Sequence, residues 1–181
     1  MIVRRSSRLA GLAALLAAFQ APAALFAGTG HAQAEIVEPI YAIPLAELSF
    51  GSIAIGGAGD GSVRVAPDGS QAQFSSAVRS TCDGSASCTP HRAMFAVRGE
   101  AGRMYRVIMP TSVTVRGEQT GARLTVDELI MQSRNSPSMH NGGLLDEQGR
   151  DRFYVGGTLR VPVRTRPDHF RTNLPILVAY N

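Results

Sequence analysis

The sequence predicts an all-β protein, an immunoglobulin-like two-sheet antiparallel β-sandwich that follows a cleaved signal peptide. Apolar and polar residues alternate in short blocks, the period of half-buried strands. Glycine- and proline-containing turn signals separate the blocks closely, at "GGAGDGS", "APDGS", "RGEAGR", "RGEQTG", "HNGG" and "RTRPD". No repeat, low-complexity tract or linker interrupts them. Each such strand has one face to bury and a single sheet cannot do that alone, so two sheets are expected to pack face to face.

The chain opens with Arg4, Arg5 and Arg8 and no acid, followed by an apolar run from Leu9 to Ala27. These are the n-region and h-region of an export signal, and Ala32 and Ala34 supply the small residues of an A-x-A cleavage site. Cleavage is expected between Ala34 and Glu35, giving a signal peptide at 1–34 and one domain at 35–181, 147 residues long. Gln20 and Pro22 interrupt the apolar run, which argues against a retained membrane span. The first cysteine is Cys82, so no lipid attachment residue follows the signal, and neither a lipid nor a transmembrane anchor is expected. The expected location is the periplasm or the cell surface.

Downstream, Val63 and Val65 alternate with Ser62 and Arg64, and Tyr105, Val107 and Met109 share a face. Val113 and Val115 follow, then Leu124 with Val126, Phe153 with Val155, Leu159 with Val161, and Ile176, Val178 and Tyr180. At "VDELIMQ" a helical turn competes, since Val126, Leu129 and Ile130 fit a helical face. Cys82 and Cys88 enclose five residues, and in an exported chain so close a pair is expected to form a disulfide. On the chain-entropy model its contribution is about 2 kcal/mol, a local clip.

The sequence carries 18 basic and 14 acidic residues, but three arginines leave with the signal, so the mature chain has a net charge of +1. Its arginines are scattered singly, as a solvated surface would show, and no nucleic-acid partner is expected. No cofactor or metal is expected either: His91 completes no zinc pattern with the cysteines. His91, His140 and His169 sit in no catalytic motif, and the adjacent acids Asp127-Glu128 and Asp146-Glu147 read as solvated pairs, neighbouring acids in a strand pointing to opposite faces.

The segments "IPLAELSFGSIAIGGAGDGSVRVAPDG", "FAVRGEAGRMYRVIMP", "FYVGGTLRVP" and "VAYN" resemble the bacterial domain-of-unknown-function family 4402. The matching positions are Leu48, Phe50 and Gly51; Phe95, Val97, Gly99, Tyr105, Val107 and Pro110; Val155, Gly156, Gly157, Thr158 and Leu159; and Tyr180. The resemblance implies an exported, pilin-like or adhesin-like sandwich without an assigned activity. It departs at "PDHFRTN", where Asp168 and Thr172 stand in place of expected glycines, and Pro175 falls inside the expected last strand, confining it to an edge or a bulge.

The expected function is a non-enzymatic structural or interaction protein of the cell envelope, a fimbrial or surface subunit that associates with itself or an envelope protein by β-strand addition. Ile36, Ile40 and Ala42 would face an acceptor groove, and Tyr180 would end the edge strand. Val37, Tyr41, Ile43 and Leu45 make the other face equally apolar, as an ordinary buried first strand would. The alternative is a secreted glycan- or ligand-binding module, with Tyr154 the tyrosine expected to face solvent.

Overall fold

Period-two alternation resolves into thirteen strands and no helix among the residues that the computed structural model describes, 31–75, 77–85 and 88–181. The strands are β1 (Tyr41–Ala46), β2 (Ile53–Ile55), β3 (Gly61–Val65), β4 (Gln73–Phe74), β5 (Val78–Ser80), β6 (Ala93–Arg98) and β7 (Met104–Ile108). They continue with β8 (Val113–Gly117), β9 (Arg123–Ser133), β10 (Gly142–Leu144), β11 (Arg150–Val161), β12 (Phe170–Arg171) and β13 (Leu177–Tyr180). Residues Ile36–Asn181 form one compact unit. The expected signal peptide lies outside the described residues apart from 31–34, which are exposed and form no regular element.

All pairings are antiparallel. The large sheet runs β1-β6-β11-β9-β8-β12 and curls into a half-barrel; β10-β7-β13 and β2-β5 form two smaller sheets. Twelve-residue β11 is the spine of the large sheet. β9 follows one of its edges, while β6 and β3 share the other in succession, β6 along 150–155 and β3 along 157–161. Two glycines mark the handover between them. A Cβ on Gly156 would collide with the Val65 carbonyl oxygen, and one on Gly157 would sit 2.9 Å from Leu129. The Gly-Gly pair of "VGGTL" therefore lets neighbouring chain segments approach closely.

The inward faces meet in one apolar cluster. Val97, Val115, Leu124, Val126, Phe153 and Val155 come from the large sheet, and Tyr105 and Val107 come from β7. Phe95 stacks on the fully buried Phe153 with ring centroids 4.9 Å apart. Burying each Val, Leu or Phe side chain contributes about 1.5–3 kcal/mol relative to leaving it in water.

One local alternative is decided and one local expectation is corrected. "VDELIMQ" is strand throughout, inside β9, and its helix-like spacing comes from a bulge. Gly156 faces Ile130 and Thr158 faces Asp127, so Glu128 and Leu129 together oppose Gly157, with Glu128 at φ 51°. The extra residue shifts the parity of burial. Leu124 and Val126 point inward before it, Leu129 and Met131 after it, which places buried residues three apart and imitates a helical face. Pro175, expected inside the last strand, precedes it, because β13 starts at Leu177; the proline removes no ladder hydrogen bond.

Candidate functional site

The residues expected at the N-terminal and C-terminal edge are brought together, but differently from a free donor strand. Ala34 and Glu35 are exposed, and Ile36 is 98 % exposed with no strand partner. Ile40 packs against the core, and Ala42 sits opposite Val97 because β1 pairs with β6 from Tyr41–Arg98 to Ala46–Met94. Pro44 lies within this paired strand. A proline in a paired edge strand turns its missing N–H away from the neighbour, so the outer edge of β1 lacks a donor at its centre. Tyr180 closes the arrangement: its hydroxyl accepts the Glu100 N–H at 2.6 Å and donates to the Glu38 carbonyl at 2.7 Å. The last strand thus ties the segment before β1 to the turn between β6 and β7.

A second polar arrangement is buried. Asp151 at the start of β11 accepts the Tyr105 hydroxyl at 2.8 Å and the Ser133 hydroxyl at 2.6 Å on Oδ2, and the backbone N–H groups of Asn135 and Arg152 on Oδ1. A buried carboxylate needs such donors, and with four of them this one is well satisfied. Burial first, and then the Asp151 charge and hydrogen bond, push the Tyr105 phenol far above its usual value. Gly143 faces the group; a Cβ there would lie 2.6 Å from Asp151 Oδ2 and 2.7 Å from both the Ser133 and Tyr105 hydroxyls. The network joins β7 to β9 and β11 and contains no histidine.

The remaining sequence candidates do not converge. His91 pairs its backbone with Ser49, His140 lies in the loop before β10, and His169 precedes β12. Asp146 caps its own turn by accepting the N–H groups of Gln148 and Arg150. Asp127 and Glu128 do not point to opposite faces: the bulge lets both reach Arg160, at 2.9 and 3.3 Å, and Glu128 also accepts the Thr158 hydroxyl. Cys82 and Cys88 form the expected disulfide, so their sulfurs are not thiolate ligands for a metal beside Asp83. Tyr154, expected in solvent, is half-buried beneath the Arg92 guanidinium, 3.6 Å from the ring centroid.

Asp168, which departs from the expected glycine, has a structural task. Its carboxylate reaches the turn between β8 and β9, accepting the Thr120 hydroxyl and the N–H groups of Gln119, Thr120 and His169. The Thr120 hydroxyl, followed by these backbone donors, holds the Asp168 carboxyl well below the usual carboxylate range, against an opposing effect of burial.

The model of the family described as "Domain of unknown function (DUF4402)" matches residues 42–180. The chain belongs to this family. No curated protein and no solved structure matches it. In this DUF4402 domain the motif residues are packing and turn residues: Leu48 and Phe50 pack against the core, Gly51 adopts φ 74°, and Gly99 makes room for the Tyr180 hydroxyl.

Besides the Asp151 network, sequence reasoning missed a second cluster of the DUF4402 domain. Arginines that are scattered along the chain meet on the outer face of the large sheet. Arg98 on β6 lies directly opposite Arg150 on β11, and Arg152, two residues on, exchanges backbone contact with Arg134 just beyond β9. Scattered single arginines are what a solvated surface shows, and only the pairing register shows that these four are neighbours.

Proposed function

We propose that the chain is an exported, non-enzymatic structural or interaction protein of the bacterial cell envelope. It acts as a self-contained immunoglobulin-like sandwich, in which the curled large sheet and the β10-β7-β13 sheet are the two facing layers. The shared cluster of Tyr105 and Val107 with Phe153 and Val155 supports that reading of the fold.

One observation carries the choice between modes of contact. The strand that would be donated to a neighbour already completes the domain's own large sheet along β6, and Tyr180 holds Glu38, three residues before it. Donation would strip β1 from β6 and expose Val97, which is fully buried. Contact through the folded surface costs none of this, so the interaction-module reading is preferred to a strand-donating fimbrial subunit. A second reading keeps strand addition with the roles reversed. β13 is the outermost strand of its sheet and Leu177 is 61 % exposed, so this short edge can accept a segment from an envelope partner.

Fractionation of the producing cell, with mass spectrometry of the recovered chain, tests export: the expected product begins at Glu35 and lies outside the cytoplasm. An intact N-terminus on a cytoplasmic product overturns the reading. Non-reducing gels of unheated and heated samples test the mode of contact. The expected species is a monomer, and a ladder that survives detergent until boiling would refute the preference for surface contact.

A further inference from the structure

We propose that the arginine cluster on the outer face of the large sheet is a binding site for an acidic saccharide. The proposal deepens the interaction-module reading and rests on it by naming the ligand class.

The four guanidinium groups sit in two adjacent rows. Arg98 and Arg150 are paired across β6 and β11; Arg152 and Arg134 are joined by the Arg134 N–H to the Arg152 carbonyl at 2.8 Å. Along β11 the rows are about 7 Å apart, and the three adjacent chain segments span roughly 10 Å. All four residues are exposed and line a shallow depression of about 410 Å³.

None of the four forms an ion pair among the described residues, whereas Arg103, Arg160 and Arg171 are each paired with an acid. Two carboxylates border the depression, and both are already engaged. Asp151 is buried and accepts four donors, while Asp146 is bound by the backbone of its own turn. Both carboxylates keep their charge, since their donors are neutral, so the four guanidinium groups leave the depression a local excess of two positive charges. Like charges directly opposite on neighbouring strands destabilise a sheet, so the cluster is not explained by stability.

Guanidinium groups bind oxyanions through a planar fork of donors, stay charged across the physiological range, and bind carboxylates bidentately. The depression offers no deep apolar pocket for the aromatic or aliphatic anchor on which protein interfaces depend. It offers donors over an open floor with Ala96 between them and Tyr41 opposite Arg98, on the same face and exposed. A hydroxyl-rich chain bearing carboxylates, presenting both sugar faces and acidic groups, matches this surface. A nucleic acid would demand a more extended basic field than residues 35–181, with 15 arginines against 14 acids, supply.

The test is calorimetric titration of the purified protein with an oligogalacturonate, a neutral galactose oligomer of equal length, and a single-stranded oligonucleotide of equal charge. Two double variants with the same charge change are compared. One is Arg98→Gln with Arg152→Gln. The other is Arg116→Gln with Arg123→Gln, a second directly opposed pair at the far end of the same outer face. Oligogalacturonate should bind, the neutral oligomer should not, and the first double variant should lose about tenfold or more in affinity. The second should stay within about twofold, since its arginines lie roughly 35 Å away along β9. The first variant should also unfold at or above the parental temperature, because it relieves repulsion. The proposal is overturned by absence of oligogalacturonate binding, by equal losses in both variants, or by oligonucleotide binding as tight as that of the saccharide. These readouts use purified protein and are separate from the export and gel assays, so the site can fail while the broader reading stands.

Discussion

Replacing Gly143 by alanine tests whether the buried Asp151 network holds the small sheet to the large one. The new methyl carbon would stand 2.6 Å from Asp151 Oδ2 and 2.7 Å from the Ser133 and Tyr105 hydroxyl oxygens, inside the contact distance of all three. No backbone strain is involved, since Gly143 is not among the glycines with positive φ. Forcing an extra methyl into a packed interior costs about 1–3 kcal/mol. Displacing one hydrogen bond to a charged acceptor adds about 1.5–3 kcal/mol. The sum, about 2.5–6 kcal/mol, corresponds to a fall of roughly 5–24 °C in Tm for a domain of this size. Urea and thermal unfolding measure it directly. Gly102→Ala serves as a control: it has φ 70° and open space around it, so it should cost only the backbone penalty of about 1–2 kcal/mol. In a Tyr105→Phe background the hydroxyl that the methyl meets is gone, and Gly143→Ala should become cheaper by at least about 1 kcal/mol. If Gly143→Ala costs no more than Gly102→Ala, or costs the same in both backgrounds, the network is not what requires glycine there.

Removing the Tyr180 hydroxyl by Tyr180→Phe should lower stability by about 1–2 kcal/mol and speed hydrogen exchange at the Glu100 amide, with β11 amides unchanged. Because the Asp168 carboxyl is held below its ordinary value, its contribution is present above about pH 4 and is lost as the pH falls through the folded value. The stability difference between the parent and Asp168→Asn should therefore be full at pH 7 and shrink in acid, as paired denaturant titrations would show; a pH-independent difference would contradict the assignment. Tyr105 has the opposite sign. Its raised value keeps the proton on in the folded state, so its contribution is intact below about pH 10 and declines above it as the unfolded phenol ionises. Ultraviolet titration of folded protein should lack the Tyr105 phenolate step, and Tyr105→Phe should flatten the alkaline loss of stability.

Much of the β architecture was legible locally. The alternation at Val63 and Val65, at Tyr105 and Val107, and at Phe153 and Val155 follows from the two-residue repeat of a strand, which needs no knowledge of neighbours. Where a single residue shifts that repeat, local reading falters: Glu128 at φ 51° made a strand resemble a helix, and proximity in sequence placed Pro175 in a strand that begins two residues later. The candidate edge was legible as residue types, yet its state was not. Whether Ala42 is free or opposite Val97 depends on a partner strand more than fifty residues away.

By itself the sequence determined the strand content, the turns, the nearness of Cys82 to Cys88 and the family resemblance, because all of these rest on short-range geometry or on motifs read in order. Only the tertiary structure decided that Arg98, Arg134, Arg150 and Arg152 share a face, and that Tyr105, Ser133 and Asp151 share a proton-donor network. The physical reason is register. In a sheet of distant strands, a side chain's neighbours are set by which residues pair across the ladder, and one-dimensional spacing carries no record of that choice.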